Sequence, residues 1–152
     1  MSTSLFDQAS RGRLFTLDEA CEILSSGRPA AVAADKALLR RLPKGRWIGG
    51  SIPYFMAQDG GQVCQDRVFV QLMPEEVSSV RIQSYGLDEI HRIAVDGPEQ
   101  GFSVLLIPHN TEVHHAYARN APNYEQMYMK PIIGWITGCH HECSRVQGPG
   151  RK

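Results

Sequence analysis

The chain has no excess charge of either sign: sixteen lysines and arginines balance sixteen aspartates and glutamates over 152 residues. Without a bulk positive field it lacks the electrostatic means to recruit nucleic acid or an anionic membrane surface, and neither is expected as a partner. Long apolar runs are missing too. Runs such as Val104–Ile107 and Pro131–Ile136 fall far short of the ~20 residues that span a bilayer. The opening stretch MSTSLFDQASRGR lacks the basic-then-apolar layout of a secretory signal, so a cytoplasmic location is expected. Cysteine is scarce. Cys21, Cys64, Cys139 and Cys143 are too few to staple a chain of this length. In a reducing compartment Cys21 and Cys64 read as small buried hydrophobes.

What is present is an ordinary globular composition: 42% hydrophobic residues against 21% charged ones exclude a disordered chain. The pattern predicts one α/β domain with a mixed sheet over residues 1–138 and a polar tail over 139–152. Thr16 and Glu19 form a capping box ahead of a helix that turns Leu17, Ala20, Ile23 and Leu24 to one face, with Gly27 and Pro29 ending it. Pro29–Ala34 reads as a strand and Lys36–Leu42 as one or two helical turns. Gly45–Pro74 reads as a central antiparallel hairpin: Trp47, Ile48, Ile52, Tyr54 and Phe55 on one arm, an Asp59-Gly60-Gly61 turn, then Val63–Met73. Val77–Tyr85 alternates as a strand, and Leu87–Ala94 reads as a helix with Leu87, Ile90, Ile93 and Ala94 inward.

The last third predicts a βαβ unit: a strand at Phe102–Ile107, a helix at Thr111–Asn120, a helical turn at Tyr124–Lys130, and a second strand at Pro131–Thr137. If those strands are parallel neighbours, their C-terminal ends share the sheet edge on which open α/β folds hold ligands. One end delivers Pro108-His109-Asn110-Thr111. The other delivers Gly138-Cys139-His140-His141-Glu142-Cys143.

Imidazole and thiolate together suit zinc, and also iron or haem, so His109, Cys139, His140 and Cys143 are candidate metal ligands. Against this, Cys-x3-Cys lacks a second ligand pair at matched spacing, and a solvated tail accounts for it as well. His114 and His115, adjacent on a helix, point about 100° apart and seldom share a metal. A cysteine nucleophile with His109 as its base is a further option.

Arg46, Trp47, Gly49 and Gly50 form the second candidate, joined at the sheet edge by His109 and Asn110 as ligand-binding residues. A Gly-Gly pair inside an apolar strand marks a bulge or a close backbone approach. Arg46 can grip an anion while the Trp47 ring covers it. The competing reading is that the glycines let the hairpin pack, with Trp47, Tyr54 and Phe55 in the core. The segment is neither a P-loop nor a dinucleotide fingerprint, and the chain has no Gly-x-Ser-x-Gly elbow and no His-Glu-x-x-His helix. Glu75-Glu76 and Asp88-Glu89 sit at element starts, where they complement helix dipoles or turns.

The segment GFSVLLIPHNTEVHHAYARNAPNYEQMYMKPIIGWITG, with its strand Val104–Ile107, helix from Thr111, and Pro131-Ile132-Ile133-Gly134 leading to Gly138, resembles part of the FIST sensory domain. The GRWIGGSIPYFM run is similar to a family of uncharacterised bacterial proteins. The FIST resemblance implies a sensor of a small molecule, with His109 or the His140-His141 pair as haem ligands. The chain is shorter than a full FIST protein and carries no output segment. The leading expectation is therefore a cytoplasmic small-ligand-binding or sensory module. The rivals are a metal-dependent or cysteine-based enzyme, and a structural subunit whose Trp47–Phe55 segment is buried against a partner protein or a second copy.

Overall fold

The computed structural model describes residues 3–52, 54–57 and 60–138, which form a mixed α/β fold. Helix α1 (Leu5–Ser10) starts at Ser4, whose hydroxyl accepts the Asp7 amide at 3.1 Å. Strand β1 (Arg13–Phe15) follows, then α2 (Leu17–Ser25). The capping box forms in full. The Thr16 hydroxyl accepts the Glu19 amide at 3.3 Å, and the Glu19 carboxylate accepts the Thr16 amide at 2.9 Å. Strand β2 (Ala30–Ala34) and the short α3 (Lys36–Leu39) come next, the latter capped by the Asp35 carboxylate on the Ala37 amide.

Strands β3 (Trp47–Ser51) and β6 (Val68–Leu72) complete a four-stranded sheet in the order β1-β6-β2-β3. Strand β2 runs parallel to β3 and antiparallel to β6, so Val32 stands between Gly49 and Val70. All five residues of β2 are buried, which is why it reads as an unbroken apolar run. On the inner face Val32, Val68, Val70, Leu72 and Trp47 pack with Ile23 and Leu24 of α2 and Leu39 of α3. Each such aliphatic side chain contributes roughly 1.5–3 kcal/mol when fully buried. On the outer face Ala33 and Phe69 are covered by Phe55, Cys64 and Trp135. Cys64 is buried as expected, while Cys21 is half-buried against the inner core.

The central hairpin is smaller than its sequence pattern predicts. It consists of β4 (Tyr54–Ala57) and β5 (Gly60–Val63), paired antiparallel with Tyr54 opposite Val63. Trp47–Ser51 and Val68–Leu72, expected as its arms, instead flank β2 on opposite sides. The buried face of β2 attracts both, and two short linkers let the chain reach it. Val77–Tyr85 forms no strand. Its alternation specifies a face but supplies no partner, and no amide from Ser78 to Tyr85 bonds to main chain among the described residues. Leu87–Ala94 shortens to a 3-10 turn, Ile90–Arg92; Ile90, Ile93 and Ala94 are buried while Leu87 stays exposed. The helical turn expected at Tyr124–Lys130 is a series of tight turns with Gln126 at φ 62°.

The C-terminal unit matches its pattern closely. Strand β7 (Ser103–Pro108), helix α4 (Glu112–Asn120) and strand β8 (Ile132–Thr137) form a βαβ unit with parallel pairing from Ser103–Ile132 to Pro108–Thr137. Gly134 is required there, because a Cβ at that position would collide with the Leu105 carbonyl. The unit is tied to the larger sheet where the Gly138 amide donates to the Ser51 carbonyl at 2.7 Å. Among the described residues no helix is long and apolar enough to cross a membrane.

Candidate functional site

A cleft of about 1190 Å³ lies between β3 and β7. Every residue from Ser103 to Pro108 lines it, as do Ile48, Gly49, Gly50 and Ser51, and the irregular segment from Glu76 to Tyr85 forms a further wall. Consecutive lining residues, rather than alternate ones, place strand backbone as well as side chains on the cleft. Ile90, Ile93 and Val113 add apolar surface. The volume lies somewhat above the usual range of small-molecule sites, ~300–1,000 Å³.

Arg46, Arg81, Glu76 and Asp96 supply the charged lining. Asp96 is already engaged. Its carboxylate accepts the Tyr85 hydroxyl at 3.1 Å and the Arg92 guanidinium at 3.2 Å, and its main-chain carbonyl accepts from Arg81. Burial, and then the hydrogen bond and charge of Asp96, push the Tyr85 hydroxyl above the usual tyrosine range. Neither Arg46 nor Arg81 has an ion-pair partner among the described residues; Arg81 donates to the Asp96 main-chain carbonyl, which leaves Arg46 the less engaged of the two cations at the cleft.

The expected ligand residues therefore divide. Arg46, Gly49 and Gly50 line the cleft, whereas Trp47 does not. Its ring is 2% exposed in the inner core, and its Nε1–H donates to the Pro43 carbonyl at 2.9 Å. Gly49 accommodates that ring, since a Cβ there would stand 2.8 Å from it. Gly50 accommodates Thr137 of β8, the close approach that the Gly-Gly pair signals.

His109 and Asn110 lie beyond the cleft, exposed at the C-terminal end of β7. The parallel pairing brings that end beside the end of β8, and the His109 amide donates to the Thr137 carbonyl at 2.6 Å. Asn110 adopts φ 56°, a left-handed conformation that asparagine tolerates better than most residues. Its amide donates to His114 Nδ1 at 3.0 Å, and its Oδ1 lies 3.1 Å from His115 Nε2. The His109 and His114 ring centroids are 5.5 Å apart and those of His114 and His115 5.6 Å. The two adjacent histidines, expected to diverge, thus turn toward one asparagine. The left-handed preference of Asn110 was the available signal for this turn.

No three His, Cys, Asp or Glu side chains come together as a metal site among the described residues. Cys139, His140 and Cys143 lie outside those residues. Haem does not fit what is described: His109 is exposed and lies off the cleft that would have to hold the macrocycle.

Fold and site together define a small mixed α/β protein with a partly apolar cleft beside a parallel βαβ unit. The chain belongs to a family of unknown function, DUF6976, whose model matches residues 15–149. No curated protein and no solved structure matches it.

Proposed function

We propose that this chain is a small-ligand-binding module with a sensory role, and that the cleft between β3 and β7 holds the ligand. The observation that carries this reading is the cleft itself: apolar walls from Ile48, Val104, Leu106 and Ile93, with the unpaired Arg46 guanidinium among them. Such a site suits an organic molecule with an apolar body and an anionic end. The FIST likeness of the β7–α4–β8 segment supports the sensory role. The dye 8-anilinonaphthalene-1-sulfonate has the required chemistry and serves as probe. One dye should bind per chain, about tenfold more weakly to Arg46→Gln, and not at all to Val104→Trp, which fills the cleft. Equal binding by the parent and by a folded Val104→Trp variant would refute the reading.

A second reading, a zinc-dependent or cysteine-based activity, is favoured by one observation. The His109–Thr137 main-chain bond holds an imidazole-bearing residue beside the strand end from which the Cys139–Cys143 segment departs. Elemental analysis tests it: about one zinc per chain, lost in both His109→Ala and Cys139→Ser, is the expected result, and metal-free protein removes it.

A further inference from the structure

In a parallel pair the main-chain groups of each strand turn alternately to its two edges. On β7 the Ser103 and His109 amides donate to the Pro131 and Thr137 carbonyls, so the odd-numbered residues of the strand are turned to β8. The N–H and C=O groups of Val104 and Leu106 therefore face the opposite edge, where no strand pairs with them among the described residues. That edge lies on the cleft. All of β7 lines it, whereas of β8 only Ile132 and Thr137 do. The edge ends at Pro108, which has no N–H and whose carbonyl accepts the Thr111 hydroxyl at 2.9 Å.

We propose that the cleft takes a short extended peptide, which adds as a strand to this outer edge of β7. The proposal rests on the cleft as the ligand site and names the class of ligand. Three observations select a peptide. First, Val104 and Leu106 each present a donor and an acceptor, about 6.6 Å apart along the strand. Another extended main chain repeats its own N–H and C=O groups at that interval, whereas a hydrocarbon chain or a flat ring system has none to offer.

Second, the wall formed by residues 78–85 also makes no main-chain bond through its amides among the described residues, and Ser78, Ser79, Gln83 and Ser84 make it polar. It gives an inserted peptide further groups to bond. Third, Ile48 and Ile93 offer apolar surface to alternate side chains, while Arg46 offers its charge to a C-terminal carboxylate. Residues 139–152 of the chain itself hold one large aliphatic side chain, Val146, and cannot supply that alternation.

Selection from a randomised hexapeptide library with free C-termini, against the full chain, tests the proposal. Peptides with apolar residues at alternate positions should be recovered, and they should displace 8-anilinonaphthalene-1-sulfonate. Each can be N-methylated on alternate amides in two frames. The derivative whose methyl groups meet β7 should bind at least about tenfold more weakly. Leu106→Pro removes one edge donor, leaves the bonds from β7 to β8 in place, and should cause a similar loss with an unchanged circular dichroism spectrum. Should that variant lose its folded spectrum, the methylated peptides give the same reading on the unaltered chain. If both methylated derivatives bind as the parent peptide does, or if the dye binds and no peptide is recovered, the proposal is overturned and the small-ligand reading stands. If the folded chain binds neither dye nor peptide, both fall.

Discussion

The Gly138 amide and the Ser51 carbonyl, 2.7 Å apart, join the C-terminal ends of two strands from different sheets. Beside them Gly50 stands against the Thr137 side chain, and Trp135 packs on the outer face of the larger sheet with Phe55 and Cys64. These contacts set the spacing between β3 and β7, and hence the width of the cleft.

Substituting Gly50 should show how tightly that spacing is held. Gly50→Ala drives a Cβ into Thr137 and should cost about 1–3 kcal/mol, measured by urea denaturation. Combining it with Thr137→Gly should return part of the loss, giving a coupling of roughly 0.5–3 kcal/mol. Strict additivity would mean that the contact does not govern the spacing.

Tyr85→Phe removes the bond to Asp96 and should destabilise the fold by about 0.5–1.5 kcal/mol. The pH dependence follows from the upward shift of this hydroxyl, caused by burial and by Asp96. A raised folded-state value means the folded state holds the proton more tightly. That stabilisation is fully present below the unfolded tyrosine pKa of ~10 and is lost as pH rises through the folded value. The parent should therefore lose stability in this alkaline range, and the loss should be smaller in Tyr85→Phe.

Trp47 separates packing from binding. Trp47→Ala opens a core cavity and should cost about 3–5 kcal/mol. Trp47→Phe keeps most of the volume but gives up the bond to Pro43, and should cost less while leaving dye binding intact. A loss of dye binding in a folded Trp47→Phe protein would return Trp47 to the ligand site.

Asn110 should show a fixed order of stabilities, Asn above Gly above Ala, in thermal unfolding. Glycine accepts φ 56° but lacks the oxygen facing His115, whereas alanine lacks that oxygen and also pays about 1–2 kcal/mol for the left-handed backbone. Equal melting of the glycine and alanine variants would refute the backbone argument.

Much of the fold is legible in the residues because the signals are local. The Thr16–Glu19 box, the apolar run of β2 and the strand–helix–strand pattern of the last third depend on neighbours a few positions apart. The misreadings are of another kind. Trp47–Ser51 and Val68–Leu72 alternate as hairpin arms do, yet pair with β2, since alternation identifies a buried face without naming the strand beside it. Val77–Tyr85 carries the same pattern and finds no strand at all. The helix Leu5–Ser10 and strand Arg13–Phe15 are too short for periodicity to register.

Composition and local pattern by themselves determined an α/β chain with balanced charge, a capped helix before its first buried strand, and a parallel βαβ unit near its end. Tertiary structure alone decided that Trp47 faces the core while Arg46 faces the cleft, and that Gly50 makes room for Thr137. It also tied the C-terminal end of β8 to Ser51 of β3. The physical reason is range: capping and periodicity act over one or two turns of chain, whereas a core, a cleft and a tie between two sheets arise only where segments distant in sequence meet.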